Sequence, residues 1–394
     1  MQRLALHATF VLMIVLGVHS PCYSQPATRA VPRRAIPKIN RDRRAAKIVT
    51  PPEIAVIRKV VLVQRRCPSG ITATLLDDGE VFVGWNIKDQ ADENVREGIF
   101  YTKSLQKRPS IYYSLGWTHN ERVKAFSDGA ILGASPGGYV IVSPKGKIAT
   151  QKTALDNEQI SDVSVTRLSG GKAMLIAYQR TVGARADGRY IIVDRSGKII
   201  QGPSIFSTQG KTQYISATTL SNGLIHLAYD CSGSKTKVID VFNHTIVGEH
   251  KFHAKLIYGI ESIVLDNDNI LLAYIDQDSK GQCMVVQPSG LKVSGPHQFF
   301  DGDEGIIKIR LAKRADGNVC LGFTVGKSRG RCTIIDTDGK VIKGPITLYD
   351  GYAIERSSFD CVHLRDNMVM IPLSVKKLGS DDLADRIGGY LVVR

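Results

Sequence analysis

One hairpin signature, a turn of Asp, Asn, Ser and Gly leading into an apolar strand, occurs seven times in this chain. The copies are Leu76-Asp77-Asp78-Gly79, Phe126-Ser127-Asp128-Gly129, Leu168-Ser169-Gly170-Gly171, Leu220-Ser221-Asn222-Gly223, Leu265-Asp266-Asn267-Asp268, Arg314-Ala315-Asp316-Gly317 and Leu364-Arg365-Asp366-Asn367. Their last residues stand 50, 42, 52, 45, 49 and 50 apart. Most are followed by a strand ending in an aromatic: Trp85, Tyr178, Tyr229, Tyr274 or Phe323. Asp, Asn and Gly recur because tight hairpins need positive φ, which these residues tolerate best. A period in this range with several short strands per unit predicts propeller blades, small sheets that bury both faces only when neighbours stack on them.

Each full repeat holds four strand candidates, A to D from the axis outward. In 306–350 they are Ile307–Leu311, Asn318–Thr324, Arg331–Asp336 and Val341–Tyr349. The last repeat supplies A (Phe359–Leu364), B (Met368–Val375) and C (Gly389–Val393), and the chain stops at Arg394 without a D strand. Residues 55–64, rich in β-branched side chains, are the surplus strand that fills the gap. The expected fold is therefore all-β, a seven-bladed propeller over 55–394 closed by the N-terminal strand. Closure removes sheet edges that would otherwise invite aggregation.

The C-D hairpins repeat too, as in Ile192-Val193-Asp194-Arg195-Ser196-Gly197-Lys198 and Ile334-Ile335-Asp336-Thr337-Asp338-Gly339-Lys340. Gly-Pro follows at 202–203, 295–296 and 344–345, which suits an outer edge strand. Together these blades resemble the extracellular β-propeller repeat superfamily. The run from Asp316-Gly317 to Asp336-Thr337-Asp338-Gly339-Lys340 is similar to NHL-type blades. The resemblance covers about 55–394 and implies the fold; its motifs are hairpin chemistry and point to no single family.

Arg3 precedes an apolar run from Leu4 to Val18, and small residues follow at Cys22 and Ser24. This reads as a signal peptide over 1–24, too short to span a bilayer comfortably. Residues 25–54 carry eight Arg or Lys against Asp42 and Glu53, with five prolines, and read as a basic flexible linker. The expected location is secreted, periplasmic or at the cell surface, with no transmembrane segment in the mature chain. The formal charge is +15, concentrated in part in the linker, which would tether an anionic polymer or surface. Secretion and the lack of helix-based or basic-aromatic motifs argue against nucleic acid as a partner.

Six cysteines remain beyond the signal, an even number that suits three bridges in an oxidising compartment. The blade layout offers Cys320 with Cys332, Cys231 with Cys283, and Cys67 with Cys361 as a latch on the closing blade. The alternative is buried free thiols.

Two B-C loops read as long insertions, 86–98 in the first blade and 376–388 in the last, which ring closure makes neighbours. They bring Asp89, Asp92, Glu93, Arg96, Glu97, Lys376, Asp381, Asp382, Asp385 and Arg386 to one rim, a binding face or a solvated surface of mixed charge. Asp276 and Asp278 begin like a calcium loop, yet the further ligands that calcium's six to eight oxygens require are missing. No cofactor is expected. No His-Glu-x-x-His, phosphate loop or nucleotide fingerprint occurs, and the Gly-x-Ser-x-Gly match at Gly133-Ala134-Ser135-Pro136-Gly137 runs into the strand-like Gly138-Tyr139-Val140-Ile141-Val142 rather than the helix an elbow requires. The sequence thus favours a secreted, non-catalytic binding or scaffold propeller. Its B-C rim would recognise an envelope protein or an extracellular glycan. The rival is a propeller-type glycan-active hydrolase or lyase, which converging ionisable residues at the axis would favour.

Overall fold

A computed structural model of the chain describes residues 56–64, 69–88, 94–114, 121–208, 210–326, 329–349, 352–377 and 386–394. The stretches expected to be signal peptide and linker, and Cys67, Asp89, Asp92, Glu93, Asp381, Asp382 and Asp385, lie outside the described residues. Seven antiparallel sheets form a seven-bladed β-propeller. Six are meanders whose four strands pair in chain order. The A strands are Ser69–Leu75, Arg122–Ala125, Gln159–Arg167, Gln213–Thr219, Tyr258–Val264, Ile306–Lys313 and, in blade 7, Tyr352–Phe359 continued by Val362–His363.

Blade 7 draws on both ends of the chain. Its B strand is Val369–Lys377, its C strand Arg386–Val393, and its outer strand is Val56–Gln64. The last two run antiparallel, with Val56 opposite Val393, Val60 opposite Tyr390 and Gln64 opposite Ile387. The closure read from the surplus N-terminal strand is thus present.

The turn chemistry explains the repeat. At five A-B turns the Oδ1 of Asp78, Asp128, Asn222, Asn267 or Asp316 accepts the N–H two residues on, at 3.0–3.1 Å. Such Asx bonds mimic a backbone turn and free the next residue for positive φ. Gly takes that position in most copies; Asp268 and Asn367 occupy it at φ 63° and 61°. The B and C strands lie between neighbouring blades, so both faces are apolar, and Val319–Val325 is buried throughout. Seven hydrophobic clusters result, one at each seam between adjacent blades. Each fully buried Leu, Ile, Val or Phe contributes ~1.5–3 kcal/mol.

Several readings need correction. The A strand of blade 7 starts at Tyr352, well before Phe359, and breaks at Asp360–Cys361, where the pairing register shifts. The supposed long B-C loop of blade 1, 86–98, is largely longer strand: B runs to Lys88 and C begins at Asn94, while most of 376–388 lies outside the described residues. The five described cysteines are all free and buried. Cys231 packs in the seam of blades 3 and 4 and Cys283 in that of blades 5 and 6, so they do not pair. Cys320 and Cys332 are diagonal across their strands, with Cys332 directly opposite Gly322. Their sulfurs touch at 3.0 Å without a bond. Cys361 belongs to the same cluster, and its Sγ fills the space where a Gly322 side chain would begin.

Candidate functional site

The predicted rim residues do not assemble into a described site. Arg96 and Glu97 sit inside the C strand of blade 1 and are buried. The Arg96 guanidinium donates to the carbonyl of Gly70 at 2.8 Å and is ion-paired with Glu121, both side chains fully buried. Glu97 accepts from the Tyr112 hydroxyl at 3.5 Å. Lys376 and Arg386 are strand residues opposite each other in blade 7. Blades 1 and 7 are neighbours, with Tyr101 and Tyr390 edge to face at 5.5 Å. At the calcium-like stretch, Asp276 Oδ1 accepts the N–H groups of Asp278 and Lys280, and Oδ2 the Gln282 amide. That carboxylate is the keystone of a turn. Among the described residues no group of three or more His, Cys, Asp or Glu is placed to hold a metal.

The chemistry gathers on the axis instead. The A-B turns open at Leu76, Phe126, Leu168, Leu220, Leu265, Arg314 and Leu364. Four residues before each stands a polar side chain: Thr72, Arg122, Ser164, Ser216, Glu261, Arg310 and Asp360. One channel level therefore carries a ring of seven polar groups. Arg122 of blade 2 reaches Glu261 of blade 5 at 2.7 Å, which only residues facing a common axis can do. Arg310 of blade 6 also pairs with Glu261 and lies 3.5 Å from Asp360 of blade 7. The four form an ionic bar across the channel.

The rest of this lining ties blade to blade. Ser164 Oγ accepts the N–H of Ala217, Ser216 Oγ that of Ser262, Asp162 Oδ2 that of Ile215, and Asp360 Oδ2 that of Ala73, at 2.7–2.9 Å. Inner-strand donors that would otherwise face the channel are thus satisfied by the preceding blade.

Burial alone would raise the Glu261 carboxyl, but Arg122 and Arg310 outweigh it and hold it below the usual carboxylate range. Asp162 goes the other way, raised by burial despite its backbone donors. Burial pushes Lys308 well below an ordinary lysine, and Arg310 adds to the shift. Lys308 also lies over the Phe359 ring, 5.4 Å from its centroid.

Where the A strands begin, on the side of the B-C loops, Tyr214 and Tyr258 meet edge to face at 6.3 Å. Tyr258 is 41% exposed. Asp162 and Asp230 lie close enough that, after burial, they help raise the Tyr214 phenol. Tyr214 stands six residues before its turn, where blades 1 and 5 have Gly70 and Gly259. All three adopt left-handed backbone, with φ 58°, 54° and 74° for Gly70, Tyr214 and Gly259, at a local bulge. Blade 4 thus holds an aromatic where blades 1 and 5 use glycine, against a left-handed cost of ~1–2 kcal/mol. The Tyr214→Gly chain should therefore be more stable than Tyr214→Ala by ~1 kcal/mol in urea unfolding, reversing the usual strand preference for Ala. An Ala variant at least as stable as the Gly variant would contradict this strain.

Neither the axial ring nor the tyrosine pair figured in the sequence reading. The signal for the ring was the constant offset of a polar residue from each turn; the tyrosines carry none, since blade 4 departs from its sisters there.

No protein-family model matches the chain, and no curated protein does. Among solved structures, an unknown-function protein from Dyadobacter fermentans DSM 18053 is similar at 12% identity and TM-score 0.50, covering 87% of this chain and 99% of that one. The β-propeller domain of Cps50 (Swd1) from Myceliophteria thermophila is similar at 10% identity and TM-score 0.55, covering 84% of this chain and 99% of that one. At such identities the likeness carries the β-propeller fold and nothing of its function.

Proposed function

We propose that the protein is a secreted, non-catalytic binding propeller that recognises an extracellular glycan on its B-C face. What supports this is the Tyr214–Tyr258 pair beside Asp162: aromatic faces for a sugar ring, with a channel carboxylate for its hydroxyls. The basic residues 25–54 add salt-sensitive attraction to anionic polymers.

Binding of the full chain, and of one beginning at Pro52, to neutral and anionic polysaccharides across a salt series tests the reading. Tyr258→Ala should weaken the productive ligand by ~30-fold, the ~2 kcal/mol expected for a central aromatic anchor. Binding that vanishes with residues 1–51 or with salt would reduce the glycan to an electrostatic partner and leave an envelope protein as the ligand to seek.

A second reading, a glycan-active hydrolase, has in its favour the convergence of Arg122, Glu261, Arg310 and Asp360 on the axis. Asp162 and Glu261 share the channel, and their carboxyls are shifted in opposite directions, the pattern of an acid and its partner. Release of reducing ends that stops in Asp162→Asn would favour it over simple binding.

A further inference from the structure

The opposite mouth of the channel has a cation that the ring leaves unanswered. Among the described residues the axis carries Arg122, Lys124, Lys308 and Arg310 against Asp162, Glu261 and Asp360, formally one cation in excess. Glu261 is engaged by both arginines. Asp360 is held by Arg310 and the N–H groups of Ala73 and Cys361, and Asp162 by those of Val163 and Ile215. Lys124, two residues before its turn and so on the A-B side of the ionic bar, makes no hydrogen bond or ion pair among the described residues. Its side chain is open to channel water yet walled in by protein.

The surroundings of Lys124 are divided. At its level blades 1, 3 and 4 place Thr74, Thr166 and Thr218, whereas blades 5 to 7 place Ile263, Ala312 and Val362. Just below, Thr72 Oγ1 is buried with no partner. Over the same four blades, the A-B turns border an open depression of about 460 Å³ lined by Ser127, Ser169, Thr219, Ser221 and the Arg167–Asp77 ion pair, next to Lys124 rather than around it. An unpaired amine, an orphaned hydroxyl and a hydroxyl-rich depression all lie on one side of one mouth.

We propose that this A-B mouth is a second binding site, for a small polyhydroxylated monocarboxylate whose carboxylate meets Lys124 and whose hydroxyls meet the threonine and serine sector. A monoanion balances the single formal excess charge; a dianionic phosphate ester would overshoot it. The site lies beyond the glycan face, on the far side of the bar, and stands whether or not that reading does.

Burial lowers the Lys124 ammonium; Asp360 and Glu261 raise it in part, Arg122 and Arg310 lower it again, and the net shift is downward. A carboxylate arriving at Lys124 favours the charged form, so binding draws a proton from solvent at any pH where the free amine is partly neutral. Calorimetric titration of the full chain with gluconate, in two buffers of different ionisation heat at each of several pH values from about 7 to about 10, reads both effects.

Expected are saturable binding with net proton uptake, no binding of sorbitol, and weaker binding of glucose 6-phosphate. Lys124→Met should lose at least tenfold in affinity, whereas Tyr258→Ala, on the other face, keeps it. Lys124→Arg guards against misfolding of the Met variant: it retains the charge, so gluconate still binds but proton uptake disappears. Absence of gluconate binding, equal binding of sorbitol, or unchanged affinity and proton uptake in Lys124→Met would overturn the proposal.

Discussion

A chain that begins at residue 69 is expected to lose its cooperative thermal transition. Removing Val56–Gln64 strips the outer strand from blade 7 and leaves Arg386–Val393 as an unpaired edge. Tyr390, Leu391, Val392 and Val393, all buried, belong to the seams with blades 6 and 1, so the damage reaches both neighbours. A ring cannot keep six seams while the seventh opens, because each blade is held on both sides. Calorimetry should show a broadened or absent transition, and size exclusion should show association through the new edge. The permuted chain is the control. Val56 faces Val393 in an antiparallel pair, so a turn of two or three residues can join Arg394 directly to residue 56. That permutant should melt like the full-length chain. A truncated chain that melts normally would mean the N-terminal strand is only an appendage.

The second large effect is expected at Glu261. Replacing it with Ala leaves Arg122 and Arg310 confronting each other near the axis with no carboxylate between them. Their side chains are 21% and 11% exposed, too little for water to screen them fully. Breaking such a buried pair from one side costs ~3–5 kcal/mol, enough to lower the melting temperature by about 10 °C. Adding Arg122→Met should recover most of this, because Arg310 keeps Asp360. The pH dependence has a definite sign. A carboxyl held below its unfolded value stabilises the fold above about pH 4.5, and that stability is lost as pH falls through the folded value. Glu261→Gln should therefore be less stable than the parent at neutral pH and converge on it toward pH 3. A constant difference across that range would place the stabilisation in packing rather than charge.

The fold was legible because its information is local. Asp316 and Gly317 announce a turn within four residues, and a missing fourth strand after Val393 points to a surplus one at Val56. Strand length was not legible. Nothing local separates Asn94-Val95-Arg96-Glu97 from a charged loop; the Glu121 carboxylate, supplied from the next blade, and the Gly70 carbonyl help make a buried Arg96 tolerable. The cysteine pairs failed for a related reason. Equal distance from a hairpin put Cys320 and Cys332 near one another, but a register offset of two residues left them diagonal. The axial ring was visible in principle. Its members look unrelated as residue types, from Thr72 to Asp360, and become one feature only when counted back from the turns.

The blade-to-blade contacts of the inner strands bear on how such a chain could diversify. Duplication and exchange of whole repeats is the natural route by which a propeller grows, since the seams are apolar and broadly alike. Here three of the inner strands are also addressed to the next: Ser164 serves Ala217, Ser216 serves Ser262, and Asp360 serves Ala73 across the junction of chain start and chain end. Shuffling two repeats would leave their packing nearly intact while scrambling these addresses, and moving the repeat that holds Glu261 would take away the counter-charge of two arginines. The seven repeats have therefore ceased to be interchangeable parts, and their order around the axis is inherited as a unit.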